Sequence, residues 1–248
     1  DTNVIAADGV LAIDIDGSQS AYGEVNVAFN TTGEITGKID IYGDEAKVTV
    51  NSGSYTDEAV KNYVPLGKMI TVNGVAFTPV AAIGETAYVT LAAAVEAAKP
   101  GETVKLVADA SGAGLIINKD LTIDFGGYAY HVTGPAVGST GTETLAFQLL
   151  HGTDVANPNK ITMKNGTITV ADIPANDPAS KQIKVVIMNY ADLTLENMTV
   201  DSTGSSAMMY AMSYNNGTSQ LKGDTNVIAA DGVLAIDIDG SQSAYGEV

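Results

Sequence analysis

The sequence predicts an all-β protein made of many short strands that stack on one another, and two observations lead to this prediction. Most apolar segments are only a few residues long and are separated by Gly, Asn, Asp or Thr, which is typical of short strands joined by turns. Three of them also share one apolar–polar pattern: residues 121–125, 161–166 and 193–198. Self-similar strands indicate layers stacked in register at a spacing of about 4.8 Å.

The last 25 residues, 224–248, repeat the first 25 letter for letter, with a period of 223 residues. This period is far longer than the roughly 20–50 residues of common solenoid units, so whole domains are duplicated. Three interpretations stay open: a window from a long array of near-identical domains, an engineered circular permutant, or a segment that exchanges between subunits. If the period is real, the domain is read across the seam, from about Met69 to Gly223 and on through residues 1–68.

A hairpin and a helix are predicted near the middle of the chain. Residues 69–80 alternate apolar and polar side chains around Asn73 and Gly74, a strong signal for a two-residue hairpin turn. Residues 90–99 predict a helix with Thr90 as N-cap, an apolar stripe, and a stop at residues 100–101. Short strands are expected at 103–107, 115–117, 121–125, 128–133, 161–164, 167–170, 184–188, 193–196 and 198–200, and at 4–5, 10–14, 25–29, 35–41 and 47–50.

Residues 88–109 (YVTLAAAVEAAKPGETVKLVAD) followed by 117–128 (INKDLTIDFGGY) resemble the N-terminal cap and first rungs of right-handed parallel β-helix, pectin-lyase-like, repeat domains of large bacterial surface proteins. Residues 50–64 resemble the last rung and closing helix of such a module. The resemblance implies a right-handed parallel β-helix with short helical caps, tandemly repeated. Caps at both ends fit the physics, since open rungs would otherwise pair with other chains.

The resemblance and the repeat together predict four regions. Residues 1–68 would be the C-terminal rungs and closing cap of one repeat. Residues 69–102 would be the connector hairpin and capping helix of the next repeat, and 103–223 its N-terminal rungs. Residues 224–248 would continue the same β-helix as an exact copy of 1–25.

Composition favours an extracellular or cell-surface protein. The chain has 29 acidic residues, 12 Lys and no Arg, for a formal charge of −17, so it repels nucleic acid and anionic membranes. It has no Cys, which excludes disulfides and thiolate metal sites. No apolar run reaches the roughly 18 residues of a membrane span.

Catalysis is not expected, although the resembled fold includes polysaccharide lyases and hydrolases. The lyases use an Arg or Lys base beside calcium-binding carboxylates, and this chain has no Arg and no Lys flanked by a matching Asp cluster. The hydrolases use clustered Asp residues with His nearby, but His131 and His151 stand apart in the sequence. We therefore predict no enzyme activity, no catalytic residue and no cofactor.

Two weaker site candidates remain. Asp14 and Asp16, followed by a Gly, resemble the start of a calcium loop, but the position that needs a bidentate acid holds Val25. A solvated acidic strand face is the simpler interpretation. The cluster Met208, Tyr210, Met212 and Tyr214 is a candidate ligand or subunit contact, although core packing is the simpler interpretation.

The function predicted from sequence is a structural subunit of an extracellular tandem-repeat filament, stalk or surface fibre of a bacterium. Its main partner would be the protein itself, through end-to-end repeats or neighbouring copies, with no nucleic acid and no membrane span. The alternatives are an adhesin that binds surface glycans, a viral fibre, and, more remotely, a polysaccharide lyase or hydrolase.

Overall fold

The computed structural model describes residues 2–7, 10–18, 23–154, 156–215 and 218–239 of the 248-residue chain. Strands dominate its regular structure and most strand pairs are parallel, so the predicted all-β class is confirmed. The chain divides into two compact units, unit 1 (Asp1–Val89) and unit 2 (Thr90–Val248).

Unit 1 is built mainly on parallel strands. They are β1 (Val4–Ile5), β2 (Leu11–Asp16), β3 (Val25–Thr36), β4 (Lys38–Tyr42), β5 (Ala46–Tyr55), β6 (Ile70–Val72), β7 (Val75–Phe77), β8 (Ala81–Ile83) and β9 (Thr86–Tyr88). β1, β3, β5 and β6 lie side by side in parallel, and β2 pairs with β4 in the same sense. The sequence predicted separate strands at 25–29 and 35–41. In the structure β3 continues to Thr36, and the break lies at Gly37, before β4.

A short helix packs on the core of unit 1 within residues 50–64, where the resemblance places the closing helix. It is a 3-10 helix, Glu58–Tyr63, and Asp57 caps it by accepting a hydrogen bond from the Ala59 N–H at 2.9 Å. The second carboxylate oxygen of Asp57 accepts from the Ile39 N–H at 2.7 Å, which ties the helix to β4. Val60 is buried with the strand residues of this core.

The predicted hairpin around Asn73 and Gly74 is confirmed. β6 and β7 are antiparallel, and the two turn residues have φ angles of 51° and 77°. Positive φ at both central residues is the type I′ requirement, which Asn-Gly meets at little cost. β8 and β9 form a second hairpin that the sequence pattern did not predict.

In the described part of unit 2, the strands form three parallel ladders that the chain visits in the same order five times. The first ladder contains β10 (Thr103–Leu106), β13 (Leu121–Asp124), the first halves of β16 (Lys160–Val170) and β18 (Asp192–Asp201), and β20 (Ser219–Lys222). The second contains β11 (Ala110–Gly112), β14 (Ala129–Val132), the second halves of β16 and β18, and β21 (Asn226–Ile228). The third contains β12 (Leu115–Ile117), β15 (Leu145–Leu149), β17 (Val185–Asn189), β19 (Tyr210–Tyr214) and β22 (Leu234–Ile238).

We call one strand segment from each ladder, taken in chain order, a layer. The three self-similar segments stack in successive layers, with Leu121 opposite Ile161 and Ile161 opposite Leu193, all buried. The corner after the first ladder has Asn165 and Asn197 at φ of 60° and 53°. Asparagine tolerates this left-handed conformation better than most residues. The Asn197 side-chain N–H₂ donates to the side-chain Oδ1 of Asn165 at 3.4 Å, so corners as well as strands repeat.

The predicted helix precedes the first layer of unit 2. It is α1 (Leu91–Ala97), and Thr90 caps it by accepting a hydrogen bond from the Ala93 N–H at 3.0 Å. Leu91, Ala94 and Val95 are buried, and the helix packs against β10 and β11.

Candidate assembly site

The two copies of the repeated sequence take up matching strands in the two units. β21 has the sequence of residues 3–5 and is the counterpart of β1 within the repeat. β22 has the sequence of residues 11–15 and is the counterpart of β2. Residues 1, 8, 9, 19–22 and 240–248 of the two copies lie outside the described residues. The same sequence therefore selects the same local structure in two different settings.

In unit 1 the repeated segment pairs with β3 and β4, which follow it in the chain and which we call the β3–β4 layer. Its facing residues are Val4–Ile35, Ile5–Thr36, Ile13–Ile39, Asp14–Asp40 and Ile15–Ile41. The hydrogen bonds to this neighbour include Thr31 Oγ1 to Thr2 O (3.2 Å), Ala6 N to Thr36 O (3.0 Å) and Lys38 N to Val10 O (3.0 Å).

In unit 2 the same segment pairs with the layer that precedes it. Its facing residues are Val227–Val200, Ile228–Asp201, Ile236–Met212, Asp237–Ser213 and Ile238–Tyr214. The hydrogen bonds to this neighbour include Ser202 N to Ile228 O (3.0 Å), Leu234 N to Met209 O (3.2 Å) and Asp239 N to Tyr214 O (2.8 Å). The same segment is therefore paired along one strand edge in unit 1, with β3 and β4, and along the other strand edge in unit 2, with β18 and β19.

The exposure of two isoleucines differs between the copies. Ile15 is 5% exposed in unit 1, whereas its counterpart Ile238 is 69% exposed in unit 2. Ile5 is 76% exposed, whereas its counterpart Ile228 is 42% exposed. The copy in unit 2 therefore leaves Ile238 exposed at a position that β4 covers in unit 1, and an exposed strand edge is a template for another chain.

The layer that covers the first copy approaches it closely. A Cβ atom on Gly33 would lie 2.2 Å from the carbonyl oxygen of Thr2. A Cβ on Gly37 would lie 2.8 Å from the carbonyl oxygen of Val10, and Gly37 has a φ of 112°, which side chains disfavour. These two glycines let β3 and β4 receive the repeated segment.

Asp14 and Asp16, the calcium candidates, lie on β2 beside Tyr42. The Asp16 carboxylate accepts a hydrogen bond from the Ser18 N–H at 2.8 Å, and the Ser18 hydrogen bonds hold the Asp16 pKa below its usual value. Burial, followed by the negative charges of Asp14 and Asp16, raises the pKa of Tyr42. Among the described residues, no three His, Cys, Asp or Glu side chains are grouped so as to hold a metal ion. The calcium site stays a prediction without a third ligand.

The Met and Tyr cluster lies at the inner side of the last covered strand in unit 2. Met208, Met212 and Tyr214 are buried, and Tyr210 is half-buried. The Tyr214 hydroxyl lies 3.7 Å from the Met212 sulfur. Burial in this way favours the core-packing interpretation for three of the four side chains. Tyr210 and Tyr214 face Leu234 and Ile238, so the cluster supports the second copy of the segment.

The two histidines lie on different parts of unit 2. His131 lies on β14, with its Nδ1 atom 2.7 Å from the Thr169 hydroxyl, and His151 follows β15. In the part of the chain that is described, no helix is both long and apolar enough to cross a membrane.

Comparison of the chain with protein-family models, with curated proteins and with solved structures found no match. The proposals below therefore depend on the geometry of the chain and on the repeat.

Proposed function

We propose that this chain is a structural subunit of an extracellular tandem-repeat filament, stalk or surface fibre of a bacterium. The observation behind the proposal is that one sequence forms the first strands of unit 1 and the last strands of unit 2, with opposite edges covered. A sequence that pairs on both edges joins one repeat to the next without a special linker. The net charge of −17 would keep such a long assembly soluble.

We also infer that unit 2 and the strands of unit 1 are rungs of a right-handed parallel β-helix with short helical caps. The fixed order of the three ladders and the in-register stacking of Leu121, Ile161 and Leu193 support this inference. α1 and the 3-10 helix Glu58–Tyr63 are the two candidates for caps. The likeness to pectin-lyase-like domains remains part of the proposal.

A two-period chain tests the proposed function. Residues 1–223 followed by 1–248 should form an elongated particle, longer than the single chain by at least about 30 Å, because each added layer contributes about 4.8 Å. Small-angle scattering or negative-stain electron microscopy measures this length. The matched control replaces the central copy of the segment with Gly-Ser residues, which should give two bodies at variable angles. A two-period chain that behaves like its control contradicts the proposal.

A further inference from the structure

We propose that residues 224–239 of one molecule take the place of residues 1–16 in a second copy of this chain. β21 and β22 would then join unit 2 of the first molecule to unit 1 of the second. This inference deepens the proposed filament function and rests on it. The occupant of the open edge of β21 and β22 is thus the β3–β4 layer of another molecule, and that molecule's own residues 1–16 are displaced.

Sequence identity makes the replacement neutral for the receiving layer. The incoming residues are those that β3 and β4 already contact, so Ile35, Ile39 and Ile41 meet the same three side chains in the same register. Gly33 and Gly37 provide the same close approach to the incoming backbone.

The hydrogen bonds described for the two edges do not compete. Towards β3 and β4 the segment uses the carbonyl oxygens of Thr2 and Val10 and the N–H of Ala6. Towards β18 and β19 it uses different groups: the carbonyl oxygen of Ile228 and the N–H groups of Leu234 and Asp239, which correspond to residues 5, 11 and 16. One segment can therefore satisfy both neighbours at once.

The two registers join into continuous apolar rows. Met212 faces Ile236, and the counterpart of Ile236 faces Ile39, so exchange builds a row of Met212, Ile236 and Ile39. The exposed Ile238 would be covered by Ile41 in the same way. Exchange therefore buries the apolar surface that the unit 2 copy leaves open.

Exchange also conserves strand pairing while it removes open edges. Before exchange, residues 1–16 of the second molecule pair with its own β3 and β4, and residues 224–239 of the first molecule pair with its own β18 and β19. After exchange, residues 224–239 of the first molecule make both sets of strand pairings. The released residues 1–16 regain chain freedom, which favours the exchanged state. Exchange also brings β20, all four residues of which are exposed, beside the first half of β3, which pairs only with β5 among the described strands.

Engineered cysteines test the register, because the chain has no Cys of its own. Asp14 faces Asp40, so exchange places Asp237 of one molecule opposite Asp40 of the next. Facing residues of paired strands are about 5 Å apart at Cα, within reach of a disulfide. A chain with Asp237→Cys is mixed with a chain with Asp40→Cys under mild oxidation, and heterodimer is measured on a non-reducing gel. Each variant alone and a mixture with Asp14→Cys are the controls.

Exchange predicts heterodimer with the Asp40→Cys chain, and far less with the Asp14→Cys chain. Simple stacking of β21–β22 on an intact first copy predicts the opposite preference and would overturn the proposal. Removing residues 1–16 from the Asp40→Cys chain removes an intramolecular competitor with an effective concentration of roughly millimolar, so the yield should rise at least about tenfold. Ile15→Asp in the full-length Asp40→Cys chain weakens the same competitor and should raise the yield in the same direction.

Failure of exchange can be told apart from failure of the filament. If the two-period chain is an elongated rod but the mixed single-period chains give no heterodimer in any combination, exchange is wrong and covalent repeats alone build the filament. If the two-period chain also fails to elongate, the proposed function is wrong.

Discussion

In unit 1 the repeated segment is covered by the layer that follows it, whereas in unit 2 it is covered by the layer that precedes it. Ile15 and Ile238 are the same residue of the repeat, yet one is buried and the other is mostly exposed. The strands themselves are the same in both places. The same local sequence therefore forms the same strands in both units, whereas the neighbouring strands determine whether this isoleucine side chain is buried.

The largest expected difference between the copies comes from a matched pair of substitutions. Ile15→Asp places a carboxylate in a buried position and should destabilise the β1–β2 region by at least about 4 kcal/mol. Ile238→Asp, at an exposed position of the monomer, should cost under about 0.5 kcal/mol. Hydrogen exchange of the two segments, with urea unfolding at low protein concentration, measures both. An equal loss of stability in the two variants would contradict the difference in burial between Ile15 and Ile238.

A glycine substitution tests the close approach of β4 to the first copy. Gly37→Val adds a side chain at a φ of 112° and against Val10, so we expect a loss of about 3 kcal/mol. Gly232→Ala is the control, because its φ of 82° is also positive but nothing lies within 4 Å of the added Cβ. That control should lose only about 1 kcal/mol. A Gly37→Val chain as stable as the control would show that the contact does not constrain β4.

Each unit has a buried tyrosine whose ring lies edge-on to a phenylalanine, and the pair predicts sensitivity to alkali. Tyr55 lies 6.2 Å from Phe29, and Tyr130 lies 6.1 Å from Phe147, between ring centres. Burial raises the pKa of each tyrosine to about 12. Because a raised pKa favours the neutral form in the folded state, this stability is present below about pH 10 and is lost as the pH rises towards 12.

Tyrosine-to-phenylalanine variants separate the two units in this respect. Tyr55→Phe and Tyr130→Phe should each cost about 1 kcal/mol at neutral pH, since each hydroxyl donates to a backbone carbonyl. Each should also reduce the fall in melting temperature between pH 10 and pH 12 in its own unit. Tyr128→Phe, at an exposed position, is the control and should leave that fall unchanged. An unaltered alkaline fall in both variants would assign the sensitivity to other groups.

The smallest expected effect concerns one aspartate with two different neighbours. Asp14 faces Asp40, a like charge, whereas its counterpart Asp237 accepts a hydrogen bond from the Ser213 hydroxyl at 3.1 Å. Asp14→Asn should therefore stabilise unit 1 by about 0.3 kcal/mol, and less at high salt, because like charges directly opposite repel. Asp237→Asn should give no gain. Thermal melts at low and high salt measure the difference, and an equal gain in both copies would contradict it.

Sequence reasoning located much of the fold where a local signal was strong. The stacking of Leu121, Ile161 and Leu193, the Asn73–Gly74 turn and the Thr90 cap were all predicted from short patterns, and each is confirmed. Two strands of the third ladder, β15 and β19, were missed. β15 and β19 are buried on both faces, so their sequences lack the alternation that marks a strand.

The candidate site was only partly visible in the sequence. The repeat identified which 25 residues matter, but sequence gives no information on which edge of a strand is covered. The spacing between facing residues of successive layers is irregular, from 19 residues between Thr103 and Thr122 to 40 between Leu121 and Ile161, so no fixed period in the sequence gives the register. For Met212 and Tyr214 the sequence left core packing and a ligand or subunit contact open, and their burial favours core packing.

Parallel pairing of every layer in unit 2 has a consequence for direction. The two ends of a stack of parallel strands present different atoms, so a joint that continues the parallel pairing connects unlike ends. A polymer in which β21 and β22 of one molecule pair with β3 and β4 of the next would therefore be head-to-tail. Such a polymer is polar and sets no limit on its own length, and a different sequence at one end would be needed to start or to stop its growth.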